Sequence, residues 1–193
     1  MLKLYHSPQS RSSRFIWLLE ELGQPYEIEY VSIRRGDGSG ARDPKNPNPR
    51  GKVPALEHDG RLVVESGAIC LYLTDAFPEA RLAPRVGDPE RGDYLGWLFF
   101  YCSEVESGMI LKFLEVTNPM ASNVYDPMIE RFEGQLRTSP YITGDRFTAA
   151  DVLFGSAVQW GSTMLPKSEV LDAYLARLTE RPAYQAAQAK EQP

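Results

Sequence analysis

The sequence predicts two units: an α/β unit over residues 1–78 and an all-helical unit over residues 88–193, joined by a linker at 79–87. The first unit alternates strand and helix patterns, the linker carries Pro84 and Gly87, and every later pattern has helical spacing. With 193 residues, of which 42% are hydrophobic, the chain can bury a substantial core in one domain or two small ones.

The first unit has the predicted order β-α-β, loop, β-β-α. A strand ends at Tyr5, a helix follows over residues 15–23, and alternating residues 26–30 form a second strand, which a right-handed crossover makes parallel to the first. Residues 34–52 are rich in Gly, Pro, Asp and Asn, which predicts a mobile loop with at most one helical turn. A hairpin around an Asp-Gly turn and a helix closed by Phe77-Pro78 complete this unit.

The second unit is predicted from helix start and stop signals. Asp88-Pro89 opens a long helix toward Phe113, Asn118-Pro119 breaks the pattern, and Asp126-Pro127 starts another helix at Met128. Thr148 to Asp151 is a capping-box variant that begins a helix running through the core. Two further segments have helical patterns, residues 168–178 and the stretch from Pro182.

Composition excludes several classes of function. No apolar run approaches the ~20 residues of a membrane span, and a net charge of −5 argues against nucleic acid. The two cysteines, Cys70 and Cys102, lie in apolar stretches where we expect both to be buried, so a reduced, cytoplasmic compartment is expected. Two His and two Cys give no metal-ligand spacing. Basic residues exceed acidic ones around the first turn and loop, which suits either a small anionic ligand or a solvated loop.

The polar turn between the first strand and helix, residues 5–14, has two interpretations. Backbone amides and hydroxyls at the positive end of a helix stabilise an anion, and here we expect the thiolate of a small thiol. The alternative is an ordinary helix N-cap, which this stretch alone favours.

Two other short motifs of the first unit can converge on this turn. If the Val53-Pro54 bond is cis, the Val53 amide is free to pair with a peptide-like ligand; otherwise Pro54 is a plain strand-entry residue. Glu65-Ser66 opens the next helix, where free amides and the Ser66 hydroxyl can hold a carboxylate and Glu65 can hold an ammonium. A plain cap explains Ser66 but leaves Glu65 without a role.

Over nearly its whole length the chain resembles a cytosolic glutathione S-transferase of a Ser-containing, theta- or beta-like bacterial type. The resemblance rests on four motifs, namely Ser10-x-x-x-Arg14, Gly51-Lys52-Val53-Pro54-Ala55-Leu56, Glu65-Ser66-x-Ala68-Ile69-x-x-Tyr72-Leu73 and Gly144-Asp145-Arg146-Phe147-Thr148-x-Ala150-Asp151. It implies a thioredoxin-like domain followed by a helical one, and a cytoplasmic homodimer. It also implies a detoxifying transfer of glutathione, the co-substrate, to alkyl or aryl electrophiles, with no metal.

The resemblance also implies roles for individual residues. Ser10 matches the active-site serine, and Tyr5, near where other classes place a catalytic tyrosine, is its rival. The remaining contacts to glutathione are implied at Lys52, Val53, Pro54, Glu65 and Ser66, with Ser103 and Glu104 approaching from the other subunit of a dimer. The Gly/Pro-rich loop 34–50 departs from the family pattern, since the family often has a helix there.

Two other functions stay open at this stage. The same fold supports glutathione-dependent reduction of disulfides or peroxides, although the chain lacks Cys-x-x-Cys and must then use the sulfur of glutathione itself. The other is a non-catalytic binding module for a protein or an apolar ligand. Failure to bind glutathione would favour the module, and turnover of an aryl halide against a mixed disulfide would separate the two reactions.

Overall fold

The computed structural model describes residues 1–161 and 163–193 and divides into two compact units. The first unit comprises Met1–Ala80 and Pro182–Pro193, and is built on a four-stranded mixed sheet in the order β2-β1-β3-β4. The central strand β1 is parallel to β2 and antiparallel to β3, which is antiparallel to β4. The strands are β1 (Leu2–His6), β2 (Tyr26–Tyr30), β3 (Ala55–His58) and β4 (Arg61–Val64). The predicted α/β order and the parallel first pair are confirmed.

Three helices belong to this unit, α1 (Ser13–Leu22), α2 (Ser66–Ala76) and α8 (Pro182–Gln188), with a short 3-10 turn at Pro78–Ala80. The prediction placed residues 182–193 in the helical domain, whereas the structure places them in the first unit. The reason is contact with α1: the rings of Trp17 and Tyr184 meet edge to face at 5.1 Å, and Lys190 forms an ion pair with Glu20 at 2.6 Å. Helical spacing alone does not show which unit a helix packs against.

The second unit, Arg81–Arg181, is all-helical as predicted. Its helices are α3 (Arg91–Phe100), α4 (Glu106–Phe113), α5 (Pro119–Thr138), α6 (Ala149–Trp160) and α7 (Glu169–Thr179). A π-helical turn, Tyr101–Val105, joins α3 to α4, so the long helix predicted from Asp88-Pro89 begins at Arg91 and changes its winding midway. Phe154 lies at the centre of the core, where its ring contacts those of Trp97, Phe100, Tyr101 and Phe132.

Two predictions for this unit are wrong, the helix start at Asp126-Pro127 and the burial of Cys102. The predicted break at Asn118-Pro119 is present, because α4 ends at Phe113 and α5 begins at Pro119. The same two residues also start α5, since the Asn118 side chain accepts a hydrogen bond from the Ala121 amide at 2.9 Å and Pro119 occupies the first turn. Asp126-Pro127 then lies inside α5. Cys102 is exposed on the π-helical turn, while Cys70 is buried as expected. The predicted capping box at Thr148 and Asp151 is present.

Within the described ranges, 1–161 and 163–193, no helix is both long and apolar enough to cross a membrane. Nor do these residues include a group of three or more His, Cys, Asp or Glu side chains placed to hold a metal ion.

Candidate active site

The register of the sheet brings the three motifs of the first unit to one end of it. Tyr5 pairs with Ala55, and Ala55 pairs with Val64. The end of β1, the start of β3 and the end of β4 therefore lie side by side. The turn after β1, the Val53-Pro54 step before β3 and Glu65-Ser66 after β4 all leave the sheet at this edge.

The serines of the first turn form a buried network instead of a helix cap. Ser12 is the N-cap of α1, yet its side chain makes no capping hydrogen bond. Its hydroxyl lies 2.8 Å from His6 Nδ1 and accepts the Ser7 amide at 3.1 Å. The ordinary N-cap interpretation therefore does not describe this turn.

His6 fixes the direction of the hydrogen bonds in this network. Its Nε2 lies 3.1 Å from the Glu191 main-chain oxygen, which can only accept, so Nε2 carries the proton. Burial lowers the pKa of His6, more than the bond to Glu191 and its charge raise it, which favours the neutral ring. Nδ1 is then a bare acceptor, and the Ser12 hydroxyl donates to it.

In this network, the Ser10 hydroxyl is the donor that can rotate toward a different acceptor. Its Oγ is 2.7 Å from the Ser7 carbonyl and 2.7 Å from Ser12 Oγ, and it accepts the Ser12 amide at 3.2 Å. Because Ser12 donates to His6, the Ser10 proton is the one that can move between these acceptors and a ligand. A neutral hydrogen bond contributes about 0.5–1.5 kcal/mol and one to an anion about 1.5–3 kcal/mol, so donation to a thiolate is favoured.

The Tyr5 hydroxyl has a different partner. It donates to Glu57 Oε2 at 3.0 Å, and its ring packs among Val31, Val53 and Ala55. Burial first, and then the Glu57 carboxylate, raise the pKa of Tyr5. Since the Tyr5 hydroxyl already donates to a carboxylate, redirecting its proton toward a ligand costs more free energy than redirecting the Ser10 proton.

The Val53-Pro54 bond is cis, as the sequence prediction allowed. Two residues that the sequence analysis missed hold the step before it. Asn46 and Asn48 are both buried, and their side-chain amides donate to the Lys52 carbonyl at 3.2 and 3.0 Å. The Lys52 side chain itself is exposed. The repeated Asn-Pro of residues 46–49 was the available signal, and composition alone assigned it to a loop.

Glu65 and Ser66 are placed as the motif predicted, at the start of α2. Glu65 adopts a left-handed φ of 74°, which is uncommon for a residue with a side chain. Its carboxylate makes no capping bond and is exposed, with Arg50 Nη1 at 3.9 Å. An exposed carboxylate beside free helix amides can take an ammonium and a carboxylate from one ligand.

Two further contacts at the turn were invisible in the sequence. The Glu191 carboxylate accepts the Gln9 amide at 2.6 Å and the Ser13 hydroxyl at 2.8 Å. More than 170 residues separate these partners in the chain, so no local pattern signals the contact.

Ser103 and Glu104 lie on the π-helical turn of the second unit, where both are exposed. The Ser103 hydroxyl donates to the Phe99 carbonyl at 2.8 Å. π-Helical turns occur frequently at functional sites.

The first unit has a mixed sheet and the element order β-α-β-β-β-α along the chain, and an all-helical unit follows. This arrangement defines a thioredoxin-like domain joined to a helical domain. Two family models match this chain: the glutathione S-transferase N-terminal domain over residues 4–81 and the C-terminal domain over residues 125–182. The chain belongs to the glutathione S-transferase family.

Similar proteins match this chain over nearly its whole length. The chain is 28% identical over 198 residues to glutathione S-transferase GstA of Escherichia coli O157:H7, and covers 98% of both chains. A solved glutathione transferase from Methylococcus capsulatus str. Bath is 31% identical, with a TM-score of 0.83 and coverage of 99% of this chain and 98% of that one. A sphingomonad glutathione S-transferase complexed with glutathione is 29% identical, with a TM-score of 0.81 and 98% of both chains covered.

Proposed function

We propose that the chain is a glutathione transferase in which the Ser10 hydroxyl stabilises the thiolate of bound glutathione. The thiolate attacks a small, largely apolar electrophile, so that a sulfur–carbon bond forms while the leaving group departs with its electron pair. The observation that carries this proposal is the sheet register, which gathers Ser10, Val53-Pro54 and Glu65-Ser66 at one edge.

Each motif has a part in holding the peptide. The Val53 main chain, next to the cis Pro54, pairs with the cysteinyl backbone, and the Lys52 ammonium lies near the backbone or the glycyl carboxylate. The Glu65 carboxylate takes the γ-glutamyl ammonium, while Ser66 and the first amides of α2 take its carboxylate. A reduced compartment such as the cytoplasm suits a reaction that needs a free thiol.

Ser10 is sufficient in energy for the proposed role. A thiol with a pKa of ~8.5 must be stabilised as thiolate by ~2.7 kcal/mol to lower that pKa by about two units. One hydroxyl hydrogen bond to the anion supplies about 1.5–3 kcal/mol, and the N-terminus of α1 adds about 0.3–1 kcal/mol.

The test measures the pKa of the bound glutathione thiol, which is monitored through the absorbance of the thiolate during a pH titration. We expect Ser10→Ala to raise that pKa by about one to two units, because it removes the anionic hydrogen bond, and to leave the dissociation constant within about threefold. Ser122→Ala, at an exposed position on α5, serves as the matched control and should match the wild type.

Tyr5→Phe distinguishes the two candidate donors. An unchanged thiol pKa in Ser10→Ala together with a raised one in Tyr5→Phe would transfer the role to Tyr5. Turnover of an aryl halide and of a mixed disulfide by the same preparations separates conjugation from reduction, and conjugation is the expected main activity.

A further inference from the structure

Residues 190–192 are attached to the first turn and the adjacent strand by main-chain and side-chain bonds. The Tyr30 hydroxyl on β2 lies within hydrogen-bond distance of the Lys190 and Gln192 carbonyls, at 2.9 and 3.1 Å. Lys190 pairs with Glu20 on α1, and Glu191, between these anchors, contacts the turn itself. The segment therefore presents Glu191 in a fixed position.

The Glu191 carboxylate organises the outer side of the turn. Gln9 has a left-handed φ of 53°, and its amide donates to Glu191 Oε1 at 2.6 Å. The same oxygen accepts the Ser13 hydroxyl at 2.8 Å. In addition, Arg35 donates to the Gln9 and Pro8 carbonyls at 3.1 and 2.8 Å. The turn that carries Ser10 is thus clamped at Gln9, the residue with the uncommon backbone conformation.

The Glu191 main chain orients the hydrogen-bond network of His6, Ser12 and Ser10. Its carbonyl accepts His6 Nε2–H at 3.1 Å, which fixes the tautomer of the ring. The bare Nδ1 then accepts from Ser12, and Ser12 Oγ lies 2.7 Å from Ser10 Oγ. One residue therefore supports both the backbone beneath Ser10 and the hydrogen-bond chain that leaves the Ser10 proton free.

We propose that Glu191 is a positioning residue for the site: its carboxylate holds the Gln9–Ser13 turn and its carbonyl orients His6, so that the Ser10 hydroxyl faces the thiol of the bound peptide. This role rests on the proposed function. Glu191 does not touch the reacting sulfur in this proposal and acts only through the turn.

Charge and position make opposite predictions for Glu191. A carboxylate near the turn disfavours a thiolate, so its negative charge alone would raise the thiol pKa. Its hydrogen bonds, by contrast, hold the group that lowers that pKa. Glu191→Gln removes the charge and keeps an acceptor oxygen for Gln9 and Ser13, while Glu191→Ala removes both.

The experiment compares these two variants with Lys190→Ala, which removes the neighbouring Glu20 ion pair without touching the turn. For Glu191→Ala we expect the bound thiol pKa to rise by about half to one unit and kcat to fall about five- to tenfold, with KM for glutathione changed less than twofold. Glu191→Gln should restore kcat to within about twofold of wild type and the bound thiol pKa to within about 0.3 unit of it. Lys190→Ala should leave the pKa unchanged even where it lowers the melting temperature.

Hydrogen exchange of the glutathione-free protein separates this role from the proposed function. Faster exchange of the amides of residues 9–13 in Glu191→Ala, but not in Lys190→Ala, supports the clamp without any use of glutathione. A wild type that leaves the thiol pKa unshifted would overturn the proposed function and this role with it. If the wild-type protein lowers the thiol pKa and Glu191→Ala lowers it by the same amount, the positioning role alone would be overturned.

Discussion

At the scale of single residues, Asp151 of the second unit is a carboxyl group with a strongly shifted pKa. It is fully buried and accepts hydrogen bonds from the Ile142 amide, the Thr148 amide and the Tyr174 hydroxyl, each at 2.8 Å. Burial outweighs these bonds and raises the pKa of Asp151 from 3.8 to about 6. The ionised carboxylate therefore destabilises the folded state at neutral pH. Its hydrogen bond from the Thr148 amide is that of a helix cap at the start of α6.

This shift predicts a pH dependence of stability. Between pH 3.8 and about 6 the folded protein binds more protons at Asp151 than the unfolded chain does, so the stabilisation is present at low pH and lost as pH rises through 6. The free energy of unfolding of wild type minus that of Asp151→Asn should fall by about 2 kcal/mol from pH 4 to pH 6.5. Urea unfolding at stepped pH measures it.

The control is Asp145→Asn, which removes an exposed carboxylate in the preceding turn and should change the free energy of unfolding by less than about 1 kcal/mol, because solvent screens an exposed charge. If the Asp151 difference rises with pH instead, the hydrogen bonds outweigh burial and the folded-state pKa is depressed.

Residues that act within a short motif could be predicted from the sequence, and those that act through distant contacts could not. Val53-Pro54 and Glu65-Ser66 are recognisable because Pro and a helix start have local signatures. His6 and Glu191 have no such signature, because the bond between them joins residues 185 positions apart. Asn46 and Asn48 lie close in sequence to their partner Lys52, but their repeated Asn-Pro is also typical of an ordinary loop. The direction of the Ser10 proton depends on all of that network, so no local pattern contains it.

At the scale of elements, the same proline signal has opposite meanings in α5. Pro119 lies in the first turn, where a missing amide costs nothing, whereas Pro127 lies inside the helix. Asp-Pro and Asn-Pro look alike in sequence, and the bond from the Ala121 amide to the Asn118 side chain marks the one that begins the helix. This is why the element order could be predicted while this helix start could not.

Replacing Pro127 by Ala should therefore stabilise the second unit. The change restores an amide that can bond to the carbonyl of residue 123 and removes a ring clash, together worth about 3 kcal/mol in a helix interior. Greater freedom of the unfolded chain offsets about 0.4–1 kcal/mol, so we expect a gain of roughly 2 kcal/mol in urea unfolding. Pro119→Ala is the matched control and should give no gain. A loss of stability in Pro127→Ala would show that the packing of α5 needs the proline.

At the scale of the whole molecule, residues 182–193 return to the first unit after the chain has formed the second. Sequence order placed them in the helical domain, and only their contacts with α1 and the first turn assign them elsewhere. The first domain of this protein is thus made from both ends of the described chain. Its candidate site depends on that return through Glu191.

The expected homodimer gives the last prediction, because Ser103 and Glu104 are expected to reach glutathione in the other subunit. Chains with Ser10→Ala and chains with Glu104→Ala are each expected to be poorly active alone. In a mixed two-fold dimer one site receives an intact Ser10 and the partner's intact Glu104, while the other lacks both. Random re-pairing of equal amounts makes half the dimers mixed, so activity should recover to about a quarter of wild type.

Sedimentation or light scattering must first show a dimer of about twice 21.7 kDa, and subunits are exchanged through mild denaturant. Ser122→Ala mixed with Glu104→Ala goes through the same procedure and should keep about half of the wild-type activity, which shows that active sites survive the denaturant, while native mass spectrometry shows that mixed dimers form. If the Ser10→Ala and Glu104→Ala mixture regains nothing although mixed dimers form and the control mixture keeps its half, Glu104 serves its own subunit or no site, because complementation requires that the glutamate cross to the partner.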